Sequence, residues 1–283
     1  MDSDRRKFIK MAALSAVAGI AAPTAFNMLL RGDVSASTGE HEGAGHEGSE
    51  HEAGEHGAKP VGKRYGMVID IKKFGENPGL AQKCVQACHS LHNVPDYGNK
   101  KDEIKWIWAE HFENTFPAHS NYHRESDLEE LPVMTLCNHC DNPPCVRACP
   151  TQATFKAADG IVKMDYHRCI GCRFCMAACP YGARSFNWRD PRGKDKEGRP
   201  FIHKLNKDYP TRMRGVVEKC TFCTERLAVG LQPACVDACG DTKAMVFGDL
   251  NDANSELVKI LRSTFTIQRK PSLGTNPSLF YVI

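Results

Sequence analysis

The chain has 283 residues, 41% of them hydrophobic, a mean hydropathy of −0.43 and a formal net charge of +3. That length allows one large domain or two small ones, and Lys and Arg interspersed among acids leave no basic footprint for nucleic acid. Fourteen cysteines are the informative excess: they imply disulfides, metals or clusters, and spacing decides among these.

The first expected element covers residues 1–36. Arg5 and Arg6, within Ser3-Asp4-Arg5-Arg6-Lys7-Phe8-Ile9-Lys10, resemble a twin-arginine export signal, with Asp4 where Ser or Thr is usual and Ile9 where Leu is usual. An apolar run from Met11 to Leu30 follows, then Arg31 and the cleavage-site pattern Val34-Ser35-Ala36. A basic start on a core helix is one alternative. An uncleaved anchor is another, because about 20 apolar residues span a bilayer; Pro23, Thr24 and Asn27 weaken it. No other segment is apolar enough to span a membrane. Twin-arginine systems carry folded proteins, which suits a periplasmic protein whose clusters are built in the cytoplasm.

Residues 37–60 hold Gly, Ala, Ser, Glu and His and almost nothing apolar, with His41, His46, His51 and His56 at a spacing of five. Such a segment buries too little surface to offset its ordering entropy, so it reads as a disordered His/Glu/Gly linker. A histidine metal scavenger is the alternative.

A folded domain is expected over 61–283. Met67-Val68-Ile69-Asp70-Ile71 reads as a short strand. The first cysteine group, Cys84-Val-Gln-Ala-Cys88-His89, is incomplete: an intact run would need cysteines at Pro78 and Ala81. It is also one residue too long for the C-x-x-C-H of haem attachment. Trp106, Trp108 and Phe112 read as core.

The second group is Cys137-Asn-His-Cys140-Asp-Asn-Pro-Pro-Cys145-Val-Arg-Ala-Cys149-Pro150, or C-x2-C-x4-C-x3-C-P. Gly160-Ile161-Val162-Lys163-Met164 reads as a second strand. The third group, Cys169-Ile-Gly-Cys172-Arg-Phe-Cys175-Met-Ala-Ala-Cys179-Pro180, is the bacterial ferredoxin run, in which three cysteines bind one cubane and the fourth binds its neighbour. Pro180 ends the loop and directs the fourth thiolate away. A zinc site, built from two pairs of ligands, has no use for this even spacing. Two such runs form a double-cubane module over residues 131–188. Crossed ligation gives Cys137, Cys140, Cys145 and Cys179 to cluster A, and Cys169, Cys172, Cys175 and Cys149 to cluster B. The fourth group is Cys220-Thr-Phe-Cys223, eleven residues, then Cys235-Val-Asp-Ala-Cys239, with a zinc ribbon as its alternative reading. Ala244-Met245-Val246-Phe247 reads as a third strand. The expected fold is α+β with low secondary-structure content: tandem bacterial-ferredoxin-like cluster modules with inserted loops.

These four groups, with the x4 insertion in the second and the x11 gap in the fourth, resemble the four-cluster iron–sulfur subunits of membrane oxidoreductases. That family includes the small subunits of formate dehydrogenase, polysulfide reductase and dimethyl sulfoxide reductase. The resemblance covers most of residues 65–250. The signal, His92-Asn93-Val94-Pro95 and the two missing cysteines make the chain most similar to the DsrO-like periplasmic subunits of sulfite-reduction-associated Dsr complexes. The subunits of Hmc and Nrf complexes are close to it. The resemblance implies an NrfD-like integral membrane partner that handles quinol, often a multihaem cytochrome c, and a role in dissimilatory sulfur or sulfate metabolism, peripheral on the membrane.

The family's crossed ligation also implies that the first and fourth groups form a second module. There Cys220, Cys223, Cys235 and Cys88 hold cluster C. Cys84 and Cys239 are left at an abandoned fourth site, for a total of three [4Fe–4S] clusters. The two left-over cysteines are expected close together, as a disulfide or as inert buried thiols; a fourth cluster recruiting His89 or Asp70 is a rarer possibility. Clusters with four cysteine ligands have no open iron, and no nucleotide fingerprint, nucleophile triad or pterin domain is visible. The expected role is therefore electron transfer without catalysis; a catalytic small-molecule reductase is the alternative.

Overall fold

The computed structural model describes residues 62–119 and 131–283, so the expected signal and linker lie outside the described residues. The elements, in chain order, are β1 (Tyr65–Asp70), α1 (Ile71–Glu76), α2 (Leu80–Leu91), β2 (Ile107–Glu110), α3 (Phe112–Thr115), β3 (Val133–Leu136), α4 (Pro144–Arg147), β4 (Thr154–Lys156), β5 (Val162–Met164), α5 (Phe174–Ala178), β6 (Ser185–Phe186), β7 (Val217–Glu218), α6 (Thr224–Leu227), α7 (Ala234–Cys239), β8 (Met245–Asp249), α8 (Glu256–Ser263), β9 (Thr266–Ile267) and β10 (Leu279–Val282). Most are one or two turns long, or a few strand residues, joined by irregular segments. All belong to one unit, Gly57–Ile283. No described helix is long and apolar enough to cross a membrane.

The largest sheet has four strands in the order β8-β1-β10-β9. β1 is its centre: it pairs antiparallel with β8 (Met67 opposite Phe247) and parallel with β10 (Met67 opposite Leu279). Both faces of β1 are covered, so its run Gly66-Met67-Val68-Ile69 is buried throughout instead of alternating. The strand ends before Ile71 because the Asp70 carboxylate accepts the Lys73 N–H (3.2 Å) and caps α1. Three antiparallel ribbons, β2–β3, β4–β5 and β6–β7, complete the strands.

One arrangement recurs. α4 leads into β4, β4 pairs antiparallel with β5, β5 leads toward α5, and α4 touches α5. Likewise α7 leads into β8, β8 pairs antiparallel with β1, β1 leads toward α2, and α7 touches α2. The first set joins the second and third cysteine groups through a hairpin. The second joins the fourth to the first across the length of the domain.

The aromatic core packs with cysteines of the first, second and fourth groups; in it Trp106 and Phe112 are fully buried and Trp108 is half-buried. Trp106 Nε1 donates to Glu218 Oε2 (2.9 Å), and that carboxylate pairs with the equally buried Arg212 (2.7 Å). The segment leading into β10 passes along the second cysteine group: Asn142 N–H donates to Thr275 O (3.1 Å) and Ser278 N–H to Asn138 O (2.9 Å).

Candidate metal centres

Three of the four cysteine groups open with C-x2-C, and in all three the residue before the second cysteine is left-handed: His139 (φ 40°), Gly171 (φ 71°) and Phe222 (φ 55°). A left-handed residue beside a right-handed one turns successive N–H groups to one side, making the anion-binding nest found at iron–sulfur sites; in the fourth group Cys223 (φ 51°) is left-handed as well. At Gly171 a side chain is excluded outright, since a Cβ would lie 2.3 Å from Gly215 O. Backbone N–H groups also reach the sulfurs directly: Phe222 N–H donates to Cys220 Sγ and Ala234 N–H to Cys223 Sγ, both at 3.4 Å. Buried polar atoms of Asn138, His139 and Thr221, all within these loops, have no hydrogen-bond partner among the described residues.

Cys149, Cys169, Cys172 and Cys175 line one cavity, together with Thr151, Thr154 and Gly171. Burial pushes the Cys149 thiol up, but the N–H groups of Thr154, Thr151 and Ala153 and the Thr151 hydroxyl bring it below its ordinary value. Burial and then Cys137, with Cys145 and Cys179 behind it, push Cys140 up to about 12. Cys179 is raised by burial and by Cys137 and Cys145. Cys88, on α2, is raised well above its usual value by burial and by Cys220, Cys223 and Cys235, although these lie in the distant fourth group. Thiols that hold one another protonated in this way form a donor set which a metal cation would deprotonate. The residues fit iron–sulfur clusters.

The first group is built differently. Where a C-x2-C loop would stand, α2 already runs from Leu80, so Cys84 and Cys88 sit one turn apart on a regular helix with no nest. The sulfurs of Cys84 and Cys239 lie 3.5 Å apart, unbonded and buried. Each is also within hydrogen-bond distance of Cys235 O. The Cys239 sulfur and burial push the Cys84 thiol up. Asp70 is occupied as the cap of α1.

Several neighbours of the cysteines carried no spacing signal. The His139 ring stacks on Phe222 (centroids 3.7 Å apart), joining the second-group loop to the fourth. His92 Nδ1 lies 2.7 Å from Cys88 O and 3.6 Å from Cys88 Sγ, and its Nε2 lies 2.9 Å from Glu225. Arg184 donates to Cys145 Sγ (3.1 Å), and Lys219 donates to Cys220 O (2.7 Å). His139, Phe222 and Lys219 stand next to a cysteine, His92 opens the His92-Asn93-Val94-Pro95 motif, and Arg184, five residues past Cys179, offered no sequence signal.

The profile of the 4Fe-4S dicluster domain matches residues 130–195 and 202–250. The Hdr-like menaquinol oxidoreductase iron-sulfur subunit 1 of Archaeoglobus fulgidus is 39% identical over 237 residues, covering 77% of this chain and 83% of its own. The protein belongs to the family of iron–sulfur subunits of oxidoreductases. The subunit is also similar to the menaquinone reductase iron-sulfur cluster-binding subunit of Nitratidesulfovibrio vulgaris (36% identity; 77% of this chain, 88% of the relative). The B component of the polysulfide reductase of Wolinella succinogenes is likewise 36% identical, over 78% of this chain and 94% of its own.

Proposed function

We propose that this subunit is a periplasmic, non-catalytic electron relay that carries three [4Fe–4S] clusters between a quinone-handling, NrfD-like membrane protein and a further redox subunit such as a multihaem cytochrome c. When bound, the clusters supply one-electron exchange. Cys137, Cys140, Cys145 and Cys179 hold cluster A. Cys169, Cys172, Cys175 and Cys149 hold cluster B. Cys220, Cys223, Cys235 and Cys88 hold cluster C. The observation that carries the reading is the gathering of Cys149 with Cys169, Cys172 and Cys175 around one cavity. The electrostatic grouping of Cys88 with Cys220, Cys223 and Cys235 repeats it at the other pair of groups. Both follow the crossed pattern of tandem ferredoxin-like modules.

The protein's part is to position, insulate and connect. The nests supply N–H donors, and the aromatic core excludes water from Cys88, Cys220, Cys223 and Cys235, all of which are buried. Cys149, Cys169 and Cys172 are less buried, and Ile170 and Phe174 beside them are 67% and 62% exposed, which suits electron exchange with a docked partner at that end. Relatives that include a menaquinol oxidoreductase subunit and a menaquinone reductase subunit support a quinone-linked membrane partner. The polysulfide reductase relative supports sulfur metabolism and a DsrO-like setting.

Iron and sulfide analysis of anaerobically prepared protein should give about twelve irons. Sixteen would mean that the Cys84–Cys239 site is filled; eight or fewer would remove the fourth group from the cluster sites. Export by the twin-arginine route is tested by Arg5→Lys with Arg6→Lys. The double variant should stay in the cytoplasm, and its arrival in the periplasm would reject that route. Detergent-solubilised membranes should yield the subunit together with an NrfD-like protein, and its release as a lone soluble protein would count against that partner.

A further inference from the structure

Among the described residues, Arg184, Arg212, Lys219 and Arg269 are the buried cationic side chains. Burying a charge without a partner is costly. Arg212 has its carboxylate, Glu218, at 2.7 Å. Arg269 lies over the Tyr181 ring, 5.5 Å from its centroid. Arg184 and Lys219 have no carboxylate within ion-pair distance among the described residues, although Lys219 is fully buried and Arg184 is 4% exposed. Each lies instead against cysteines proposed as cluster ligands, Arg184 on Cys145 and Lys219 beside Cys220.

Both cations sit beneath the β4–β5 hairpin. Arg184 donates to Cys145 Sγ (3.1 Å), to Thr154 Oγ1 on β4 (2.7 Å) and to Met164 Sδ on β5 (3.3 Å). Thr154 and Met164 line the cavity of Cys149, Cys169, Cys172 and Cys175. Arg184 therefore touches both a ligand proposed for A, Cys145, and the wall of the site proposed for B. Lys219 donates to Cys220 O (2.7 Å) and to Val162 O on β5. Val162 packs with Cys145, and its N–H donates to His139 Nδ1 (3.2 Å), between Cys137 and Cys140. Lys219 is therefore bonded both at Cys220, proposed for C, and at the strand residue that lies against the ligands proposed for A.

We infer that Arg184 and Lys219 are positioning charges placed between successive clusters, Arg184 between B and A and Lys219 between A and C, which raise the reduction potentials of the clusters they face and make A the most readily reduced. This rests on the proposed ligand sets. Adding an electron to a cluster and its thiolates increases their negative charge, so a fixed cation nearby favours the reduced form. Net charge and hydrogen bonds to sulfur are among the levers that set such potentials. Cluster A faces both cations, whereas B and C face one each.

The test is a redox titration of the three clusters by electron paramagnetic resonance in Arg184→Gln and Lys219→Gln, which keep a hydrogen-bond donor and lose the charge. Cys88→Ala, which lacks a ligand of C, identifies the signal of C. Arg184→Gln should lower the potentials of A and B and leave C in place. Lys219→Gln should lower A and C and leave B in place. Each shift should be at least tenfold in the redox equilibrium, or 59 mV for a one-electron couple. Arg184→Lys and Lys219→Arg should stay near the parent values. Equal shifts of all three clusters, or unchanged potentials in a Gln variant with full iron, would overturn the inference while leaving the relay reading intact. Fewer than three clusters in the parent would instead strike the relay reading. If a Gln variant takes up too little iron, the charge-retaining variant decides: near-parental potentials support the inference, and shifts of tenfold or more overturn it.

Discussion

At the scale of single residues, the loops tolerate little. Gly171 combines a left-handed backbone with a carbonyl 2.3 Å from any added Cβ. Gly171→Ala should therefore cost more than the ~1–2 kcal/mol of left-handed strain alone. It should also cost about four irons, those of cluster B, by metal analysis. Gly182→Ala is the control: its φ is 64°, but nothing lies within 4 Å of the added Cβ, so only the strain should appear in a denaturation curve and iron should be retained.

His89 makes a second residue-scale prediction. Burial holds its imidazole down at about 4, against 6.5 in the unfolded protein. Between those values the unfolded protein takes up the proton first. Stability is therefore full above pH 6.5, falls as the pH drops toward 4, and loses nothing more from this group below that. From pH 6.5 to 5 the loss should be roughly 2 kcal/mol. Anaerobic urea titrations of the parent and of His89→Gln at both pH values should differ by that slope; identical slopes would rule His89 out as its source.

At the scale of elements, the structure separates Cys88 from Cys84, although both lie on α2. Cys88 faces Cys220, Cys223 and Cys235, whereas Cys84 faces Cys239. Cys84→Ala with Cys239→Ala should leave the iron content unchanged, while Cys88→Ala should lower it by about four irons. Mass spectrometry of the native protein, alkylated before and after reduction, will show whether the Cys84–Cys239 pair is oxidised.

These elements were unequally legible. The even spacing of Cys169–Cys179 declares its chemistry because four thiolates at those intervals suit little else. Pairing of the first and fourth groups could not be read from spacing, since the β1–β8 ladder that joins them depends on segments far apart in sequence; the family resemblance supplied it. β10 went unread although Leu279-Phe280-Tyr281-Val282 is a good strand sequence, because it lies well beyond Cys239, where no cysteine marks the segment as part of the domain. Arg184 and Lys219 were invisible for a different reason: a cation in the sequence looks solvated until packing shows that water is excluded.

At the scale of the whole molecule, the β1–β8 and β1–β10 pairings have a consequence in time. The eight cysteines between 137 and 179 are neighbours along the sequence, and the local β4–β5 hairpin joins their two groups. The site around Cys88 needs partners that leave the ribosome much later; Cys84 and Cys239 beside it are 155 positions apart. β1 itself remains unprotected, with its apolar Met67-Val68-Ile69 run uncovered, until β8 and β10 have both been made. Distant closures are slower than local ones, and exposed strand edges are sticky while they wait. Maturation should therefore run in a fixed order, A and B first and C last. Native mass spectrometry of protein made under iron limitation should find a species with about eight irons and none carrying C alone. Under the proposed folded export, that order sets a checkpoint: β10, the last of the described strands to be synthesised, is the one that seals β1, and only a chain that has reached β10 is ready to leave.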